Sequence, residues 1–114
     1  MAGEIVIQGD YTMPPGTQGA LRLMWGTVVL DGSNQTPVAL TNYMANVTES
    51  PMFAIVTMAG TAAPADDPNY VTQDVSGVTI NVYAWKNTSG TDPTYTASTD
   101  NARVINWFAV GPHI

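Results

Sequence analysis

The chain has 114 residues, 45% hydrophobic and only 11% charged, with nine acids against three bases for a net charge of −6. That length fits one domain whose folding buries roughly two-thirds of the unfolded surface, and the acidic balance argues against nucleic acid as a partner, because a phosphate backbone would be repelled. Cysteine is absent, which excludes disulfides, thiolate metal sites and cysteine nucleophiles together.

Glu4 to Gln8 is a short β-branched run between Gly3 and Gly9 and reads as a strand, short enough to be an edge strand or an arm. Asp10 to Gly19 carries Pro14, Pro15, Gly16 and Gly19. Consecutive prolines lack the N–H groups that regular sheet pairing needs, so this stretch is expected to be a loop or linker. Residues 1–19 thus form an N-terminal strand or arm with a Pro/Gly linker, and residues 20–114 form the domain. The candidate arm is Glu4, Ile5, Val6, Ile7 and Gln8, suited to adding a strand to a neighbour's sheet.

Leu21 to Leu30 is apolar on both parities, which predicts a strand covered on two faces. Asp31, Gly32, Ser33 and Asn34 give a turn signal and Thr36 to Leu40 a second strand, so a hairpin is expected here. Met52 to Met58 alternates like a strand, Gly60 to Asn69 with Pro64 and Pro68 predicts a long surface loop, and Tyr70 to Val75 predicts another strand. After a turn at Ser76 and Gly77, Val78, Ile80, Val82 and Ala84 share one face. Asn87 to Asp100 is a polar loop with a short extended piece around Tyr95, and Ala102 to Gly111 is the terminal strand, expected to partner Val78 to Trp85. With no capped apolar stripe of period about 3.6, the fold class is all-β: an antiparallel β-sandwich or jelly roll of about six to eight strands with little or no helix.

No motif carries strong catalytic chemistry. His113, the single histidine, lies next to the C-terminus, a poor place for a base held by packing. Asp66, Asp67, Asp74, Asp92 and Asp100 match no compact metal loop and read as solvated loop acids, although carboxylates of separate loops can converge on calcium. Asn34, Asn46 and Asn87 each begin an N-x-S/T triplet, which a threonine-rich chain produces by coincidence. No glycine-rich phosphate loop opens a helix, so no catalytic residue, cofactor or metal is expected. A basic signal-peptide n-region and an apolar run of the roughly 20 residues a membrane helix needs are both missing, and no membrane partner is expected.

Strand tryptophans fill cores or subunit interfaces more often than they stack on ligands. The candidate core or subunit-interface residues are therefore Trp25, Trp85, Val104, Asn106, Trp107, Phe108 and Val110. Ile105, Trp107 and Ala109 share one face of the last strand, and Val104, Asn106, Phe108 and Val110 the other. Were the second face a subunit seam, the Asn106 amide would hydrogen-bond there, because a buried amide left unpaired costs roughly 1–3 kcal/mol. Tyr95, in a loop between Thr94 and Thr96, is the aromatic placed best for a ligand.

The segments Gly77 to Trp85 (GVTINVYAW) and Val104 to Gly111 (VINWFAVG) together resemble the end of an H-type lectin domain, with Met52 to Met58 similar to that family's earlier core strand. The resemblance covers roughly half the chain. It implies a trimer and carries over no sugar-site residue, since Asn87 to Asp100 shows no position-by-position match. The chain also resembles tailed-bacteriophage virion components in its small size, Thr/Gly/Pro richness, missing cysteine and acidic balance. These likenesses imply a capsid decoration (cement) protein: a homotrimer on the major capsid protein, made in the host cytoplasm and carried on the virion surface. The alternative is a carbohydrate-binding module of a tail fibre or a free lectin.

Overall fold

The computed structural model describes residues 2–16, 19–48, 51–59 and 67–114, and of residues 14–16 and 19 the backbone only. Eight strands occur among them: β1 (Ile5–Gly16), β2 (Gly19–Val29), β3 (Thr36–Ala39), β4 (Phe53–Met58), β5 (Tyr70–Ser76), β6 (Thr79–Ser89), β7 (Asp92–Ala97) and β8 (Val104–Pro112). No described residue is helical. A front sheet has the order β1-β2-β8-β4, and a back sheet the order β3-β6-β5, with β7 also paired to β6. All pairings are antiparallel. The all-β sandwich expected from the sequence is what the chain forms.

Its core lies where the two inner faces meet. Met24, Val28, Ile105, Trp107 and Ala109 from the front sheet pack with Val38, Val78, Ile80, Val82 and Ala84 from the back, and Leu40, Met44 and Met52 close one end. The expected face of Val78, Ile80, Val82 and Ala84 is the buried one. The terminal strand and Val78 to Trp85 are not hydrogen-bonded partners: β8 is central in the front sheet, between β2 and β4, and β6 is central in the back. Each strand's apolar side meets the other's across the core.

Four other local expectations are corrected. Asp10 to Gly19 is not a linker as far as Gly16, because β1 continues through it. Pro14 and Pro15 fall where the β1–β2 register breaks, between Met13 and Gly16, and β1 is an edge strand, which is where a sheet tolerates a missing N–H. Thr17 and Gln18 lie outside the described residues, as do Pro64 and Asp66 of the expected long loop.

Strands β2 and β3 do not form a hairpin: both edges of β2 are taken, by β1 and β8, so the chain crosses to the back sheet and pairs β3 with β6. Asp31 organises that crossing. Its Oδ1 accepts hydrogen bonds from the Ser33 N–H (2.9 Å) and hydroxyl and from the Thr36 hydroxyl (3.1 Å). Partial burial raises the Asp31 pKa, but those bonds outweigh it and hold the carboxyl below its ordinary value.

The polar stretch after Trp85 is mostly sheet, since β6 runs on to Ser89 and the extended piece around Tyr95 is β7. The C-terminus is tied down rather than frayed: the His113 N–H donates to the Ala20 carbonyl at 3.0 Å, and His113 bridges to Met44.

Candidate functional site: an uncovered apolar sheet face

Residues directly opposite across a ladder share a face, so the registers of β1, β2, β8 and β4 give the front sheet's outer surface row by row. One row is Val6, Thr27, Asn106 and Thr57; the next is Gly9, Trp25, Phe108 and Ile55; the third is Tyr11, Leu23, Val110 and Phe53. Met13, Leu21 and Pro112 extend the face at one end, and Val29 and Val104 at the other. The central rows hold no charged residue; Glu4, opposite Val29, stands at the rim.

An antiparallel sheet facing water on one side normally alternates apolar-in with polar-out. Here the outward set is nearly as apolar as the inward one. Six of the ten exposed large hydrophobics among the described residues lie on this face: Val6, Tyr11, Trp25, Phe53, Ile55 and Val104. Phe53 is 58% exposed, Ile55 46% and Trp25 43%. Leu23, Phe108 and Val110 beside them are half-buried.

Gly9 makes room for the centre of this surface. A Cβ built there would lie 2.0 Å from the Trp25 ring, so the indole rests directly on the β1 backbone. Any side chain at position 9 would push it off. The β1–β2 register shifts between Ile7 and Gly9, bringing Gly9 opposite Trp25.

The sequence-derived interface candidates separate into three places. Trp107 is core, 2% exposed. Trp25, Val104, Asn106, Phe108 and Val110 all stand on the outer front face. Trp85 is on the back sheet's outer face, in the row of Tyr70 and Ala97. Asn106 is exposed in the single chain, where its Nδ2 donates to Thr57 Oγ1 at 3.4 Å, a long bond.

The arm candidates belong to the chain's own sheet. Ile5, Val6 and Ile7 pair with Val28, Thr27 and Gly26, Gln8 falls at the bulge, and the Glu4 carbonyl accepts from the Val29 N–H. The far edge of β1 has no strand beside it among the described residues. Farther along the hairpin, Asp10 accepts two hydrogen bonds from Arg22, at 2.7 and 2.8 Å. That bond and the guanidinium charge lower the Asp10 pKa.

The back sheet carries a smaller, polar feature. Tyr70 and Tyr95 meet edge to face at 4.7 Å, and Tyr83 and Trp85 stack at 6.5 Å. The Trp85 indole donates to Thr72 Oγ1 at 2.8 Å. Tyr83 donates to Asp74, and desolvation followed by the Asp74 charge raises its pKa. Nearby, Asp67, Asn69, Lys86, Asn87, Ser89 and Gly90 line a cleft of about 430 Å³. Within it Lys86 faces Asp67 at 3.6 Å, and Asn69 donates to Asn87 at 3.1 Å while its own Oδ1 is buried without a partner among the described residues.

Residue-by-residue reading found Tyr95 but not this cleft, because Asn69 and Asn87 are 18 positions apart and meet only through β5–β6 pairing. It also passed over Phe53 and Ile55, although apolar residues on both parities of Met52 to Met58 are the signal that marks them.

No family model, curated protein or solved structure matches this chain.

Proposed function

We propose that this chain is a non-enzymatic structural protein that works in an assembly: a head decoration protein of a tailed bacteriophage, seated on the major capsid protein as a symmetric trimer that stabilises the shell. The observation that carries the reading is the uncovered apolar face of the front sheet. Monomeric soluble proteins rarely leave contiguous apolar patches beyond a few hundred Å² in water, and larger ones mark interaction sites. The low charged fraction fits a chain whose surface is largely covered by other subunits, and the virion setting comes from the sequence resemblance. In such an assembly each trimer bridges neighbouring capsid subunits and adds buried area across their joints, while the acidic remainder keeps particles apart.

Shells assembled from the major capsid protein of the same genome, mixed with the purified chain and sedimented, test this. Binding that saturates at a fixed number of chains per capsid subunit is expected; chain left wholly in the supernatant contradicts the reading.

A second reading has its own support in the back sheet, where the exposed Tyr95 and the half-buried Tyr70 and Trp85 stand beside a cleft of amide, carboxylate and ammonium groups. Aromatic faces with a few placed polar groups suit a sugar ring. On this reading the chain binds glycans through Tyr95 and Trp85. Glycan-array signal in the wild type, lost in both Tyr95→Ala and Trp85→Ala, is its expected signature; an array with no signal contradicts it.

A further inference from the structure

We propose that the outer face of the front sheet is the self-association surface of the trimer, covered by a neighbouring copy of this chain, with the row Trp25, Phe108 and Ile55 at its centre. The inference rests on the assembly reading above and names which surface meets which partner.

Size is the first argument. Four strands about 4.8 Å apart and roughly 27 Å of β2, from Leu21 to Val29, outline a face on the order of 500 Å² in projection, more in accessible area because side chains stand out from it. A specific interface takes about 800 Å² from each partner. The face is therefore of the same order as the surface that each partner of a stable contact contributes, and exceeds the scattered apolar residues of an ordinary surface.

Charge is the second. The chain carries −6, and two copies meeting through acidic surfaces would repel. The central rows of the front face hold no charged residue, and Glu4, opposite Val29, stands only at its rim, so the middle of this face is where copies of an acidic chain can approach without like charges meeting. A basic partner would instead be drawn to the acids elsewhere on the molecule.

Preorganisation is the third. The Trp25 indole already lies against the backbone at Gly9, and strands β2 and β8 beneath the face are bonded on both sides. Closing a rigid aromatic surface costs less ordering entropy than closing a flexible one. The polar row fits as well: Asn106 and Thr57 share one long hydrogen bond within the chain, leaving amide capacity to meet a facing copy.

The test is sedimentation equilibrium of the full chain from about 1 to 100 μM, comparing wild type with Ile55→Lys, Phe53→Lys and, as a control on the opposite sheet, Tyr95→Lys. All three positions are at least 46% exposed, so the charge enters solvent in the single chain, and circular dichroism reads folding in parallel. A self-associating wild type, weakened at least about thirtyfold by each front-face lysine and unchanged by Tyr95→Lys, is expected, since anchors at an interface centre act on that scale. If one lysine variant fails to fold, the other gives the answer. A wild type that stays monomeric throughout overturns the inference, as does an oligomer indifferent to both folded front-face variants. Shell binding by a monomeric wild type would keep the decoration reading while removing its trimer and this inference, and self-association without shell binding would remove the decoration reading and keep this one.

Discussion

Replacing Trp107 by alanine is expected to cost about 3–5 kcal/mol, a large share of the 5–15 kcal/mol by which a domain of this kind is stable. Trp107 stands in the inner row Ile7, Gly26, Trp107 and Val56, at the middle of the front sheet's buried face. Truncation there removes the largest side chain of the core and leaves a cavity that two packed sheets cannot collapse into. Its indole Nε1 is buried with no hydrogen-bond partner among the described residues. Phenylalanine at this site gives up that unsatisfied donor along with some volume, so Trp107→Phe should cost much less than Trp107→Ala. Urea denaturation midpoints for the two variants measure this. A loss under about 1 kcal/mol for Trp107→Ala would place the ring outside the core.

The second large effect is expected from the smallest change, Gly26→Ala. A Cβ at position 26 would lie 1.9 Å from the Val6 carbonyl oxygen and 3.0 Å from Trp107 Cζ2. The first contact is with backbone and cannot be relieved by a rotamer change. Either β1 moves away from β2 or the sheet bends, and overpacking of this kind costs about 1–3 kcal/mol or more. The damage has a local readout as well. Gly3 N–H donates to the Val29 carbonyl at 2.8 Å and Val29 N–H to the Glu4 carbonyl at 3.0 Å, the two bonds that begin the β1–β2 ladder. Both amides should lose exchange protection in Gly26→Ala while those of β6 keep theirs. Unchanged protection at Gly3 and Val29 would show that β1 absorbs the methyl group.

These two positions also mark the limits of reading the chain from its sequence. Trp107 was legible as a ring that needs cover, sharing a parity with Ile105 and Ala109, but with the other parity of β8 apolar too the sequence left it between core and subunit interface. Gly26 was not, because its role depends on Val6 and Trp107, brought together by strand order and by the bulge at Ile7–Gly9. The same division runs through the fold. Strand positions and the all-β class follow from β-branched runs and turn residues.

Partner choice does not follow so directly: β2 and β3 looked like a hairpin because Asp31 and Gly32 form a turn, yet β8 occupies the edge that a hairpin would use. The prolines at 14 and 15 looked like a break because their effect depends on whether a strand is central or at an edge, which is a tertiary fact. Of the candidate site, apolar residues on both parities of β2 and β8 signalled an outer face that needs cover. The rows that join Phe53, Ile55, Phe108 and Trp25 into one surface required the register. The cleft of Asp67, Asn69, Lys86 and Asn87 was invisible for a related reason, since its residues come from the approach to β5 and the far end of β6.

Hydroxyl-radical footprinting of the wild-type chain, alone over a concentration series and bound to shells, tests most directly whether the front sheet's outer face is covered in the working assembly. Trp25, Phe53 and Tyr11 should become protected as copies associate, while Tyr95, exposed on the back sheet's strand β7, keeps its reactivity. Oxidation of Trp25 and Phe53 that stays at the level of the isolated chain, at high concentration and on shells alike, would contradict the account.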